Sequence, residues 1–177
     1  AAAGGVGGTF SAGLGGGAWW LHGTSLFYVN WADQRLWRLE PGGAPVPLTP
    51  EPAVPGGDRY ADGVVAAGGR WVVCVRERHA LEPGREPVNE LVAVRAHPDE
   101  RLDEPVALVS GADFYSSPRV SPDGEHLCWT QWNHPAMPWD GTELWVGRLL
   151  DTGGSISVTG ARRVAGGAQR PVARLDA

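Results

Sequence analysis

Lysine is missing from this 177-residue chain, so all 15 of its Lys and Arg positions are arginine. The arginines form no stripe that could neutralise a run of phosphates, and the formal net charge is −5, which argues against a nucleic-acid partner. Cysteine is nearly absent: Cys74 and Cys128 stand alone, each inside an apolar run. Counted from the turn glycine before each, they fall one position apart, so they point to opposite faces of their sheets. That makes them reduced core thiols and excludes a disulfide between them. No apolar run nears the roughly 20 residues of a membrane helix. No charged-then-apolar start resembles a signal peptide, and the expected setting is cytoplasmic. His22, His79, His97, His126 and His134 show no metal-ligand spacing, so neither a metal nor a cofactor is expected. The acidic residues Asp99, Glu100, Asp103 and Glu104 read as a solvated turn.

Glycine and proline, by contrast, are abundant, and they punctuate short apolar runs in the manner of an all-β protein with many turns. Three times a turn leads into an apolar strand and a second strand returns after a loop. The clearest copy opens with Ser121-Pro122-Asp123-Gly124, where proline pre-sets φ and glycine accepts a positive φ. It continues through Leu127-Cys128-Trp129 and returns at Thr142-Glu143-Leu144-Trp145-Val146. The others run from Gly69 through Trp71–Val75 to Asn89–Val94, and from Gly23 through Leu26–Val29 to Arg35–Leu39. The turn glycines lie about 46 and 55 positions apart, near the period of a four-stranded propeller blade. The nine tryptophans concentrate in or beside these strands, where they fill wedge-shaped gaps between packed sheets.

The fold expected is therefore all-β, a partial β-propeller of about three four-stranded antiparallel blades. The blades should span about residues 15–49, 59–110 and 113–165. A flexible Gly/Ala-rich segment (1–14) precedes them, and a disordered or truncated tail (168–177) follows. Three blades cannot close a ring, which marks the chain as a fragment of a larger propeller.

Several stretches carry a family resemblance. Gly15-Gly16-Gly17-Ala18-Trp19-Trp20, Asn30-Trp31-Ala32-Asp33-Gln34-Arg35-Leu36-Trp37-Arg38 and Asp113-Phe114-Tyr115-Ser116-Ser117-Pro118-Arg119 resemble the propeller of bacterial prolyl oligopeptidase-family serine peptidases. The branch most similar is that of dipeptidyl aminopeptidases and acylaminoacyl peptidases. His134-Pro135-Ala136-Met137-Pro138-Trp139-Asp140-Gly141-Thr142-Glu143-Leu144-Trp145 is the most specific stretch. Departures accompany it: Ser11-Ala12-Gly13-Leu14 stands where the family has a different lead-in, and Ala168–Arg174 replaces the next blade.

The resemblance implies a whole protein with further blades and an α/β-hydrolase domain carrying the Ser-His-Asp site. This chain has no Gly-x-Ser-x-Gly elbow; the nearest segment, Gly153-Gly154-Ser155-Ile156-Ser157, ends in serine and lies in a loop. No catalytic residue is therefore expected, and the chain alone should be inactive. In an up-and-down blade, the loop between strands 2 and 3 emerges at the same end as the segment leading into strand 1. In the resembled peptidases that end faces the hydrolase domain and its peptide substrate. Here it carries Arg76, Glu77, Arg78, His79 and Glu82 to Glu86 from the second unit. From the third it carries Asp113, Tyr115, His134, Trp139 and Asp140. The resemblance gives a propeller carboxylate such as Glu77 the amino terminus of a peptide, and Arg76 or Arg78 a carbonyl. Solvated loops with local ion pairs are the plainer account of the same residues. Two other readings of the chain remain: a TolB-like propeller serving as a protein-binding platform, and a non-functional truncated remnant.

Overall fold

The computed structural model describes residues 17–66, 68–79, 86–97 and 102–167. The segments expected to be flexible (1–14) or a truncated tail (168–177) lie outside the described residues, as do Asp99, Glu100 and most of the stretch from Glu82 to Glu86.

Twelve strands form three four-stranded antiparallel sheets, each in simple up-and-down order. The first holds β1 (Trp19–His22), β2 (Ser25–Val29), β3 (Leu36–Leu39) and β4 (Val46–Pro47). The second holds β5 (Asp58–Val65), β6 (Trp71–Arg78), β7 (Val88–Arg95) and β8 (Val106–Val109). The third holds β9 (Phe114–Val120), β10 (His126–Trp132), β11 (Glu143–Asp151) and β12 (Ile156–Gly166), with one helical turn, α1 (Pro138–Gly141), before β11. The turns predicted from sequence take the expected backbone: Gly23, Gly69 and Gly124 all have positive φ, and the amide of Gly124 donates to the carbonyl of Ser121 at 2.8 Å.

The sheets stack face to face, and two apolar clusters lie between them. Phe27, Val29, Leu36 and Leu48 from the first sheet meet Tyr60, Val72, Cys74, Val92 and Val94 from the second. On its other face the second sheet sends Trp71, Val73, Val75, Leu91 and Ala93 against Tyr115, Leu127, Trp129, Leu149 and Ile156 of the third. Because side chains alternate along a strand, even-numbered residues of β6 serve one cluster and odd-numbered residues the other. This is why Trp71 to Glu77 are all buried and why Trp71 to Val75 read as an uninterrupted apolar run. Burial also pushes the Cys74 thiol up to about 12. Cys128 lies between Leu127 and Trp129 and so faces away from the second sheet; both cysteines are free.

The first strands of successive sheets lie side by side, β1 against β5 and β5 against β9. They are stitched near a shared bulge. The Asp62 amide donates to the Gly17 carbonyl at 3.0 Å, and the Asp62 carboxylate accepts from the Ser117 amide. Asp62 and Ser117 hold equivalent places in their sheets, with φ of 56° and 54°. First strands innermost and sheets fanned about them are the geometry of propeller blades.

Candidate functional site

The cross-strand register shows which loops share an end of the fan. In the second sheet Asp58 pairs with Arg78, and Arg78 with Val88. In the third, Phe114 pairs with Trp132, and Gln131 with Glu143. The Asn89 side chain joins these two ends by donating to the Asp113 carbonyl at 2.7 Å.

Four charged or titratable residues, Arg76 to His79, follow one another at this end of β6, on alternating faces of the sheet. Arg76 is 3% exposed and pairs with Glu90 across the strand, Nη2 to Oε2 at 2.5 Å. Glu77, one residue on, points to the opposite face and is 4% exposed. Its Oε1 lies 3.5 Å from His79 Nε2, while its Oε2 is buried with no hydrogen-bond partner among the described residues. Arg76 Nε and His79 Nε2 are likewise buried without hydrogen bonds among the described residues. Arg78 is more exposed and donates from Nε to Asp58 Oδ1 at 3.1 Å, which raises its pKa. Buried polar atoms left unpaired are costly, so this group has an unfilled demand for a donor and an acceptor.

The third sheet offers a more self-contained arrangement. Asp113 and the loop after β10 clamp each other: the Asp113 amide donates to Asn133 Oδ1 and the His134 amide to Asp113 Oδ2, both at 2.8 Å. The His134 ring packs edge-on to Phe114. The hydroxyl of buried Tyr115 accepts from the Ala112 amide at 2.9 Å, and burial raises its pKa. Asp140 closes the α1 turn by accepting from the Met137 amide at 3.4 Å, and Trp139 stands 61% exposed at the tip. The sequence-derived residues therefore divide in two. Arg76 to His79 form one group with unmet hydrogen-bonding capacity. Asp113, Tyr115, His134 and Asp140 serve their own loops, leaving Trp139 as the outward surface.

Sequence reasoning passed over Glu90, Asn89 and Asp58, which fix these groups. Asp58 could have been found, since Asp58-Arg59-Tyr60 precedes Gly69 by the same interval at which Asp113-Phe114-Tyr115 precedes Gly124. Also missed was a cavity of about 230 Å³ on this end, between the first two sheets, bordered by Gln34, Pro52, Val54, Tyr60 and Arg78. Among the described residues no group of three or more His, Cys, Asp or Glu could hold a metal, and no serine hydroxyl bonds a histidine ring. Nor is any helix among them long and apolar enough to cross a membrane.

Fanned sheets wound about their first strands define the class: this is part of a β-propeller. Searches of solved structures agree in detail. A puromycin-hydrolyzing peptidase of Mycobacterium tuberculosis is 41% identical over 89% of this chain, with a TM-score of 0.74. A puromycin hydrolase is 34% identical over 88%, and a mutant puromycin hydrolase complexed with PGG is 33% identical over 86%, each again at 0.74. The chain belongs to the prolyl oligopeptidase family of serine peptidases, as a portion of its propeller. It spans about a quarter of the length of those structures. No protein-family model and no curated protein matches it.

Proposed function

We propose that this chain is the non-catalytic, substrate-contacting part of a prolyl oligopeptidase-family peptidase. Its loop-bearing end would lie toward an α/β-hydrolase domain and admit short or unstructured peptides. The observation that carries this reading is Glu77, a carboxylate 4% exposed whose Oε2 has no hydrogen-bond partner among the described residues. A peptide α-amine would supply the missing charged donors, and hydrogen bonds to ionised groups are worth about twice neutral ones. Arg78, the next residue along β6 and on the other face of the strand, would offer its guanidinium to a peptide carbonyl. Trp31, Met137 and Trp139, exposed on connections between second and third strands, and exposed Val88 at the start of β7 would give the hydrolase domain an apolar rim. Puromycin has an amine and an amide bond, so the names of the relatives fit an amine-reading site. The dipeptidyl aminopeptidase and acylaminoacyl peptidase specificities, and the cytoplasmic setting, belong to this proposal too.

The test is calorimetric titration of the chain with a free-amine tripeptide such as PGG and with its N-acetylated form. The free amine should bind and the acetylated form should not, and Glu77→Gln should weaken binding about ten-fold or more. Equal affinity for both forms would overturn the assignment of Glu77. Turnover of a chromogenic aminoacyl substrate by the isolated chain would overturn the non-catalytic role.

A further inference from the structure

The cavity between the first two sheets has walls of two chemical kinds. On one side the linker from Pro50 to Asp58 presents Pro52, Ala53 and Val54, with the buried Tyr60 also lining the space. The linker is held in shape by its own turn, in which the Gly57 amide donates to the Val54 carbonyl at 2.8 Å. On the other side stand Gln34 and Arg78, with Arg35, Asp58, His79 and Glu104 completing a charged rim. Gln34 is fixed in left-handed backbone at φ 58°, and its Nε2 donates to the Trp31 carbonyl at 2.8 Å, but its Oε1 is buried with no partner among the described residues. Arg78 commits Nε to Asp58 and leaves its Nη donors without hydrogen bonds among the described residues.

A volume of about 230 Å³ is below that of drug-sized pockets and suits one amino-acid side chain. The polar groups beside it have opposite needs, Gln34 for an N–H and Arg78 for a carbonyl. A single residue of an extended peptide offers that pair on its backbone and an apolar side chain between them. The geometry points to a second peptide subsite here, which takes one apolar side chain against Pro52 and Val54 and holds its backbone between Gln34 and Arg78. The inference rests on the reading of this end as peptide-contacting, and it adds a substrate class: peptides with an apolar residue beyond the one whose amine meets Glu77.

Blocked peptides separate the two ideas, because an N-acetylated, C-amidated peptide has no amine for Glu77. Acetyl-Ala-Ala-Leu-Ala-Ala-amide and its Gly-centred analogue would be titrated into ¹⁵N-labelled chain and followed by NMR. The leucine peptide should shift the resonances of Gln34, Val54 and Arg78, and the glycine peptide should bind about ten-fold more weakly. Val54→Trp, which fills the cavity from a half-buried position on the linker, should abolish the shifts while leaving the thermal midpoint in place. Equal binding of the two peptides, or shifts confined to residues away from the cavity, would overturn the subsite. If Val54→Trp unfolds the chain, the comparison of the two peptides on the unaltered chain still decides. Failure here with retained binding of free-amine PGG would leave the Glu77 reading standing.

Discussion

Asp62 shows how single residues tie this fan together. Its left-handed backbone is one that Asp tolerates better than most side chains, because a short polar group can bond locally. The carboxylate instead caps the Ser117 amide of the next sheet. Beside it, Gly63 leaves no room for a side chain, since an added Cβ would collide with the Trp20 ring. Neither role is readable from one sequence, because each depends on a neighbour more than 40 positions away. His97 is a similar case. Arg38 reaches across from the first sheet to the Ala96 carbonyl and to His97 Nδ1, with Glu40 3.4 Å from Arg38 Nε. Partial burial, then the Arg38 charge, lower the His97 pKa, and Glu40 opposes them only in part. A pKa lowered by folding means the native state resists protonation. Stability should be intact above the ordinary value of 6.5 and fall as pH drops through it toward the lower native value. The thermal midpoint is expected to decline from pH 7.5 to 5.5, and His97→Gln should flatten that decline. Asp123 and Asp151, whose pKa values are lowered, act only in a separate window below about pH 4.

Strands are where the sequence was most legible. The apolar runs at Trp71–Val75 and Asn89–Val94 belong to a sheet covered on both faces, so alternation vanishes from the pattern although it persists in the geometry. The paired turn and strand signals located β2, β3, β6, β7, β10 and β11 for the same local reason. What escaped was made by the connections. Residues 50–58 fall between the first two expected blades and carry no strand signal, yet their fold against Gln34 and Arg78 creates the cavity. The pairing of Arg76 with Glu90 likewise needs the β6–β7 register, which apolar pattern alone does not fix. Double burial has a measurable consequence. Val72→Thr and Val73→Thr each place a hydroxyl in a different apolar cluster, at a cost of about 1–3 kcal/mol. Val164→Thr on exposed β12 should change stability by less than about 0.5 kcal/mol. Urea denaturation of the three variants would measure the contrast; a tolerant Val72 or Val73 would mean that one face of the second sheet is uncovered.

Among the described residues, only the middle sheet has a partner on each side. Register shows what this leaves on the first sheet: Trp19, Tyr28, Trp37 and Pro47 form one row across it, and Leu21, Leu26 and Leu39 the next. All share the face opposite Phe27, Val29 and Leu36, and Trp19 and Leu21 are 57% and 63% exposed. Polar residues normally alternate onto a solvent-facing sheet surface, whereas this one repeats the composition of the buried interfaces. Its chemistry is that of a surface meant to be covered by another sheet, as the short span relative to the solved peptidases also suggests. Contiguous apolar surface of this kind promotes association. The chain is therefore expected to bind a hydrophobic fluorescent dye and to scatter light increasingly with concentration. Trp19→Ser with Leu21→Ser should reduce both signals without lowering the urea midpoint, because neither side chain contributes to the clusters between sheets. A dye-silent, monodisperse monomer would show that this face is already covered and that the fan is complete as it stands.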